Sequence, residues 1–260
     1  SLNLLETASF VVILSKLVSF SIFTNFAVLL QTAGVDPGYF NVPASVANAW
    51  YQDSYNSITI ASGVLRRPFF DLSYPKAVLF GAIGMFTAHE MNHAFDDEGV
   101  QWNGDGELGG WLDAGSRVTY DKMRQCLIDE YNGFCPLGDG AVCIDGGLTQ
   151  GENIADNGGI QAAYRAYRST TAIDGSDPRL PDEFSQFTLD QLFFMAFGQM
   201  WCKIEQENSS YLLTNPHSPA KYRVFGTLKN FPAFQAAFNC PTNLPYSPAN
   251  HCRLWTPTDY

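Results

Sequence analysis

No run of lysine or arginine longer than the pair Arg66-Arg67 occurs in the 260 residues, and 15 basic side chains stand against 26 acidic ones, a formal charge of −11. Binding to a phosphate backbone needs a clustered cationic footprint, so nucleic acid is excluded as a partner. There is no Cys-x-x-Cys pair either, although cysteines stand at 126, 135, 143, 202, 240 and 252. That spacing excludes a zinc knuckle or a dithiol redox motif and fits a disulfide framework in an oxidising compartment. Cys135 to Cys143 closes a small Gly-rich loop, whereas a bridge from Cys126 to a distant cysteine closes a large one. The chain also lacks internal repeats and low-complexity tracts. Its 46% hydrophobic content supports a substantial core.

One long apolar run is present, from Phe10 to Leu30. At about 1.5 Å per residue it approaches the thickness of a bilayer. Lys16 inside it and the absence of a basic cluster on either flank count against a span. Residues 1–34 are therefore read as an apolar segment with three alternative roles: buried helix, signal, or membrane anchor. After the Gly-Val-Asp-Pro-Gly break at 34–38, residues 47–51 and 56–61 carry strand-forming side chains around a polar turn and predict a hairpin. Helical periodicity follows at about 76–95, 116–131, 152–168 and 189–207, the last opened by a Thr188-x-x-Gln191 capping box. Segments 169–187 and 208–220 are rich in Ser, Thr, Pro, Asp and Asn and read as loops. The acidic, Gly-rich stretch after Phe95 is not an EF-hand, because Leu108 stands where the sixth position requires Gly. The fold class is mainly α with a small β-sheet, one domain over 35–260.

Histidine is scarce, with four residues in all, yet two of them form His89-Glu90-Met91-Asn92-His93. Four helical steps of 100° leave the two imidazoles about 40° apart on one face. Two neutral imidazoles and a carboxylate suit zinc, with a fourth position open to water. Glu90, one residue after the first His, is placed to act as general base on that water. The third ligand comes from elsewhere, and Gly151-Glu152-Asn153-Ile154-Ala155-Asp156 offers two carboxylates one helical turn apart. One can ligate while the other orients a ligand histidine. Both would equally favour a helix N-terminus with no metal at all.

The segments HEMNHAFDDEG, GENIADNGG, NAWY, PHSPAKYR and the terminal CRLW together resemble the catalytic domain of the neprilysin and endothelin-converting-enzyme metallopeptidases. The resemblance runs in order from about Asn48 to Trp255. It implies a thermolysin-like zincin domain with the His-Glu-x-x-His motif on a buried helix, and hydrolysis of peptide substrates outside the cell or at its surface. It makes His89, His93 and Glu152 the ligands of one zinc ion, Glu90 the base and Asp156 the partner of a zinc histidine. His217 becomes the stabiliser of the oxyanion and Arg223 a donor to the substrate backbone. Asn48 and Ala49 become an edge-strand pair that grips the peptide main chain. Val64, Phe69, Met200 and Trp201 become the walls of an apolar pocket, so that cleavage falls before a hydrophobic residue, and Phe86, bulkier than the family's usual side chain, narrows that pocket. Cys126 pairs with Cys252 in the family. Cys202 and Cys240 match residues whose partners lie in a long N-terminal lid region; only 47 residues precede Asn48 here, so the expectation is a domain without most of that lid. Two alternatives to an active peptidase follow: a weak or inactive zinc- and peptide-binding protein, and a membrane-tethered one.

Overall fold

The computed structural model describes residues 45–138, 142–175, 177–204 and 208–255. The apolar run at 10–30 and the break at 34–38 lie outside the described residues. No described helix is long and apolar enough to cross a membrane.

The first elements are the expected hairpin, β1 (Ala49–Gln52) and β2 (Ser57–Ile60), antiparallel with Ala49 opposite Ile60 and Gln52 opposite Ser57. Asn56 closes the turn in the left-handed conformation, which Asn tolerates better than most residues. The helical rod predicted at 76–95 is continuous but not uniform. It begins as α1 (Lys76–Leu79) after Pro75, widens into a π-helical stretch (Phe80–Gly84), returns to α2 (Met85–Asn92) and tightens into a 3₁₀ turn (His93–Phe95). The wide stretch is buried at every residue, and such bulges favour functional helices.

Next come α3 (Ala114–Asn132), capped by the Asp113 carboxylate on the backbone N–H groups of Gly115 and Ser116, and the long α4 (Gln150–Asp174). Helix α4 is central. Its Ile154 packs with Leu127, Tyr131, Ile144, Leu212, Cys252 and Leu254 in one apolar cluster. Its Ile160, Ala163, Ala166 and Tyr167 pack with Phe80, Met85, Phe193, Phe194 and Phe197 in the other. Each fully buried Phe is worth about 1.5–3 kcal/mol of transfer free energy, so these clusters fix α4 against α2 and against α5 (Leu189–Met200). The chain ends with α6 (Ser209–Thr214), α7 (Ala220–Lys229) and α8 (Pro232–Ala237).

Three sequence expectations are corrected. Residues 169–174, read as loop, continue α4, because Thr170 is buried against the fold and the Thr171 hydroxyl finds its acceptor within the helix, the Arg168 carbonyl. The segment 208–220 contains α6, which Asn208 caps and buried Leu212 anchors. Helix α5 stops at Met200 rather than near 207, since Trp201 leaves the helical conformation and lies over the Arg223 guanidinium, 4.1 Å from ring centre to Cζ. The capping box at Thr188 and Gln191 is formed.

Disulfides close Cys126–Cys252 and Cys135–Cys143, and Cys202 and Cys240 are free thiols. The first ties α3 to the last described residues across a large loop. The second staples the short loop ahead of α4.

Candidate metal centre

Helices α2 and α4 meet at a pair of glycines. A Cβ on Gly159 would stand 2.9 Å from the His89 backbone nitrogen, and one on Gly158 would collide with the Asn92 side chain. Only the missing side chains let the helices approach this closely. The approach places Glu152, on the first turn of α4, beside the two histidines of α2. One ligand atom from each of His89, His93 and Glu152 lies within 4.8 Å of the others.

The separations test whether these residues fit a zinc ion. His89 Nε2 and His93 Nε2 are 3.0 Å apart, His89 Nε2 and Glu152 Oε2 3.3 Å, and His93 Nε2 and Glu152 Oε1 3.7 Å. Two bonds of about 2.0–2.1 Å at a tetrahedral angle span about 3.3 Å, near the mean of the three. The rings are also oriented for it. Nδ1 of His89 lies 2.9 Å from Asp156 Oδ1, and Nδ1 of His93 lies 2.7 Å from Asp96 Oδ2. With both Nδ1–H groups donating to carboxylates, the two Nε2 lone pairs face each other, an arrangement that repels unless a proton or a cation stands between them. Glu152 Oε2, though near Arg223 Nη2 and His89 Nε2, accepts no well-aligned hydrogen bond.

The charges point the same way. Glu152 and Asp156 set two carboxylates against one buried guanidinium, Arg223, and Glu90 is buried on α2 beside the histidines. Burial opposes ionisation of Glu152 and Asp156, but His89 and Arg223 hold both carboxyls below the usual carboxylate range. Burial likewise works against a charged His89, yet the Asp156 and Glu152 carboxylates beside it push its pKa up to about 10. Glu90, beside two histidines and mostly buried, is instead pushed up by desolvation. A largely buried site with this much negative charge is suited to a divalent cation.

The loop between α6 and α7 supplies the next residues. His217 Nε2 is 3.2 Å from Glu152 Oε1. Asn215 Oδ1 accepts from the His217 backbone N–H at 2.8 Å and lies 3.1 Å from its Nδ1, which fixes Nδ1 as the protonated nitrogen. Ser218 is buried and donates to Asn153 Oδ1 at 2.9 Å, so the residue after Glu152 holds the residue after His217. Arg223 forms a bidentate pair with Asp156, 2.6 and 2.7 Å.

Of the residues singled out in the sequence, His89, Glu90, His93, Glu152, Asp156, His217 and Arg223 converge. The apolar set is divided. Phe69 and Phe86 form a ring pair 5.7 Å apart, Met200 and Trp201 end α5, and Val64 is wholly buried. Asn48 is exposed just before β1, with its carbonyl accepting from the Ala61 N–H, and β1 has no second neighbouring strand among the described residues. Sequence reasoning missed Asp96, Asn153, Asn215 and Ser218. Asp96 was the most legible of these, an acid three residues after His93, with its Oδ1 held by the N–H groups of Glu98 and Gly99.

Comparison with known proteins agrees with this geometry. Neprilysin-11 of Caenorhabditis elegans is 39% identical over 226 residues, 86% of this chain and 26% of that protein. Endothelin-converting enzyme 1 of Homo sapiens is 39% identical over 212 residues, 81% of this chain and 27% of its own length. The chain thus spans about a quarter of the curated relatives it matches. Among solved structures, a zinc metalloprotease of Mycobacterium tuberculosis in complex with an inhibitor superposes with a TM-score of 0.77 at 28% identity, over 85% of this chain and 34% of that one. A Haemonchus galactose-containing glycoprotein complex does so at 0.76 and 39%, over 83% and 36%. The profile of Peptidase family M13 matches residues 48–254, spanning α2, α4 and the His217 loop, and the chain belongs to that family.

Proposed function

We propose that the chain is a zinc-dependent endopeptidase domain that cleaves peptides on the N-terminal side of hydrophobic residues. The observation that carries this reading is the convergence of His89, His93 and Glu152 with Glu90 buried on the same turn of α2. His89, His93 and Glu152 would hold one zinc ion, which when bound supplies a Lewis acid and a water acidified toward a pKa of about 7.

The chain's own groups then divide the work. Glu90, whose raised proton affinity comes chiefly from burial, accepts a proton from the attacking water and returns it to the leaving amine. Asp156 and Asp96 hold the two ligand imidazoles in the tautomer that leaves Nε2 free. His217, with Nδ1–H held by Asn215, aims Nε2 toward Glu152, beside the place where the scissile carbonyl gains negative charge, and in its doubly protonated form donates a hydrogen bond there from Nε2. Arg223, fixed by Asp156 and covered by Trp201, offers its remaining N–H groups to a substrate carbonyl. Asn48 and Ala49 pair with the extended peptide backbone along the edge of β1, and Val64, Phe69, Phe86, Met200 and Trp201 supply the apolar side of the cleft.

Elemental analysis of the purified chain, joined to cleavage of an internally quenched peptide with Phe or Leu after the scissile bond, tests the proposal. One zinc per chain with cleavage lost to a chelator and restored by zinc is expected. Full zinc loading without cleavage at any peptide concentration would overturn it.

A further inference from the structure

We infer that Asn208 is a site of N-linked glycosylation. Asn208-Ser209-Ser210 is the chain's one Asn-x-Ser/Thr tripeptide, with no proline at its centre. All three residues are exposed, and Asn208 has the extended backbone of a helix N-cap, φ −148° and ψ 165°. Its side-chain oxygen accepts the Tyr211 N–H at 3.0 Å and so begins α6. The cap uses only Oδ1. A glycan is joined through Nδ2, and the resulting secondary amide keeps Oδ1 as an acceptor, so the modification leaves the helix cap intact.

The surroundings fit an external sugar. Ile204 and Leu213, on either side of the tripeptide in sequence, are both exposed apolar residues, Ile204 completely so. The two closed disulfides require the oxidising compartment in which such transfer takes place. The donor is an oligosaccharide carried on a polyprenyl diphosphate. Its sugar C1–O bond to phosphate breaks, the C1–Nδ2 bond forms, one Nδ2 proton is lost, and the lipid diphosphate leaves.

The test is expression of the whole 260-residue chain behind a cleavable secretion signal in cultured animal cells, followed by peptide-N-glycosidase treatment in ¹⁸O-water and mass spectrometry of the peptide containing residue 208. The expected result is a fall in mass by one glycan and conversion of Asn208 to ¹⁸O-labelled Asp. Ser210→Ala, which retains Asn208 and its cap, should run at the treated position without treatment, and Ser210→Thr should keep the full shift. An unmodified Asn208 in the disulfide-bonded chain, or a shift that survives Ser210→Ala, would overturn the assignment. Glu90→Gln should carry the same glycan, since this site is independent of the metal centre.

Discussion

Asp156→Asn probes the joint between fold and metal centre. Asp156 is wholly buried, and its two oxygens receive three contacts: Arg223 Nε at 2.6 Å, Arg223 Nη2 at 2.7 Å and His89 Nδ1 at 2.9 Å. An amide keeps one acceptor and turns the other into a donor, so at least one of these contacts becomes donor against donor. The negative charge facing a buried guanidinium also disappears, leaving Glu152 Oε2, at 3.1 Å, as the remaining anion close to Arg223. Breaking a buried pair from one side costs about 3–5 kcal/mol, and the surviving hydrogen bond places this case at the lower end. For a domain of this size about 3 kcal/mol lowers Tm by roughly 6–12 °C. His89 meanwhile loses the acceptor that orients it, which weakens metal binding by about 10–100-fold. Thermal unfolding by circular dichroism reads the first effect, and competition with a chromophoric zinc chelator reads the second. A variant that melts within about a degree of the parent and holds zinc equally tightly would refute the reasoning.

Three further perturbations follow from the same geometry. Gly159→Ala places a methyl group against the His89 backbone; overpacking costs about 1–3 kcal/mol, and spreading α2 from α4 should lower zinc affinity with every ligand side chain unchanged, as the same chelator titration would show. Ser218→Ala leaves Asn153 Oδ1 without the hydroxyl that ties the His217 loop to α4; it should destabilise the fold by about 1–3 kcal/mol and reduce kcat, with no further loss of kcat when added to His217→Ala, and additive losses in the double variant would contradict this. Asp97 has its pKa raised to about 6, by burial first and by the Asp96 charge second. The folded chain therefore holds that proton more tightly than the unfolded chain, and the stability it contributes is complete below pH about 4 and lost as pH rises through about 6. Asp97→Asn should match the parent Tm at pH 4 and exceed it above pH 7, and melts across that range check the sign.

The sequence made the fold legible where periodicity and local chemistry agreed. The hairpin at 49–60, the rod carrying His89 and His93, and the capping box of α5 all follow from side-chain spacing or from a cap within a few residues. It was illegible where tertiary contacts decide. Nothing local announces that α5 ends at Met200 because Trp201 turns to cover Arg223. Nothing local shows that 169–174 stay helical because Thr170 is buried. The short helices α7 and α8 went unread because 10 and 6 residues are too few turns to establish a helical period.

The site divides along the same line. The proposed ligands and the proposed base stand in two short motifs, so their convergence was readable, and the resemblance supplied His217 and Arg223. Asn215 and Ser218 were not readable as functional, because what matters is a hydrogen bond across 65 residues to Asn153 and a turn that fixes one imidazole tautomer. Gly158 and Gly159 lay in view inside GENIADNGG, but their meaning is the distance between two helices, which only the assembled fold displays.

The central claim is that Glu90, buried beside His89, moves the proton in a reaction at this metal centre. The direct measurement is kcat/KM for a quenched hydrophobic peptide with the zinc-loaded chain and with zinc-loaded Glu90→Gln, each at one zinc per chain by elemental analysis. Loss of a general base predicts a fall of about 10²–10⁴-fold at unchanged zinc content. Equal cleavage by the two proteins at equal zinc would contradict the account.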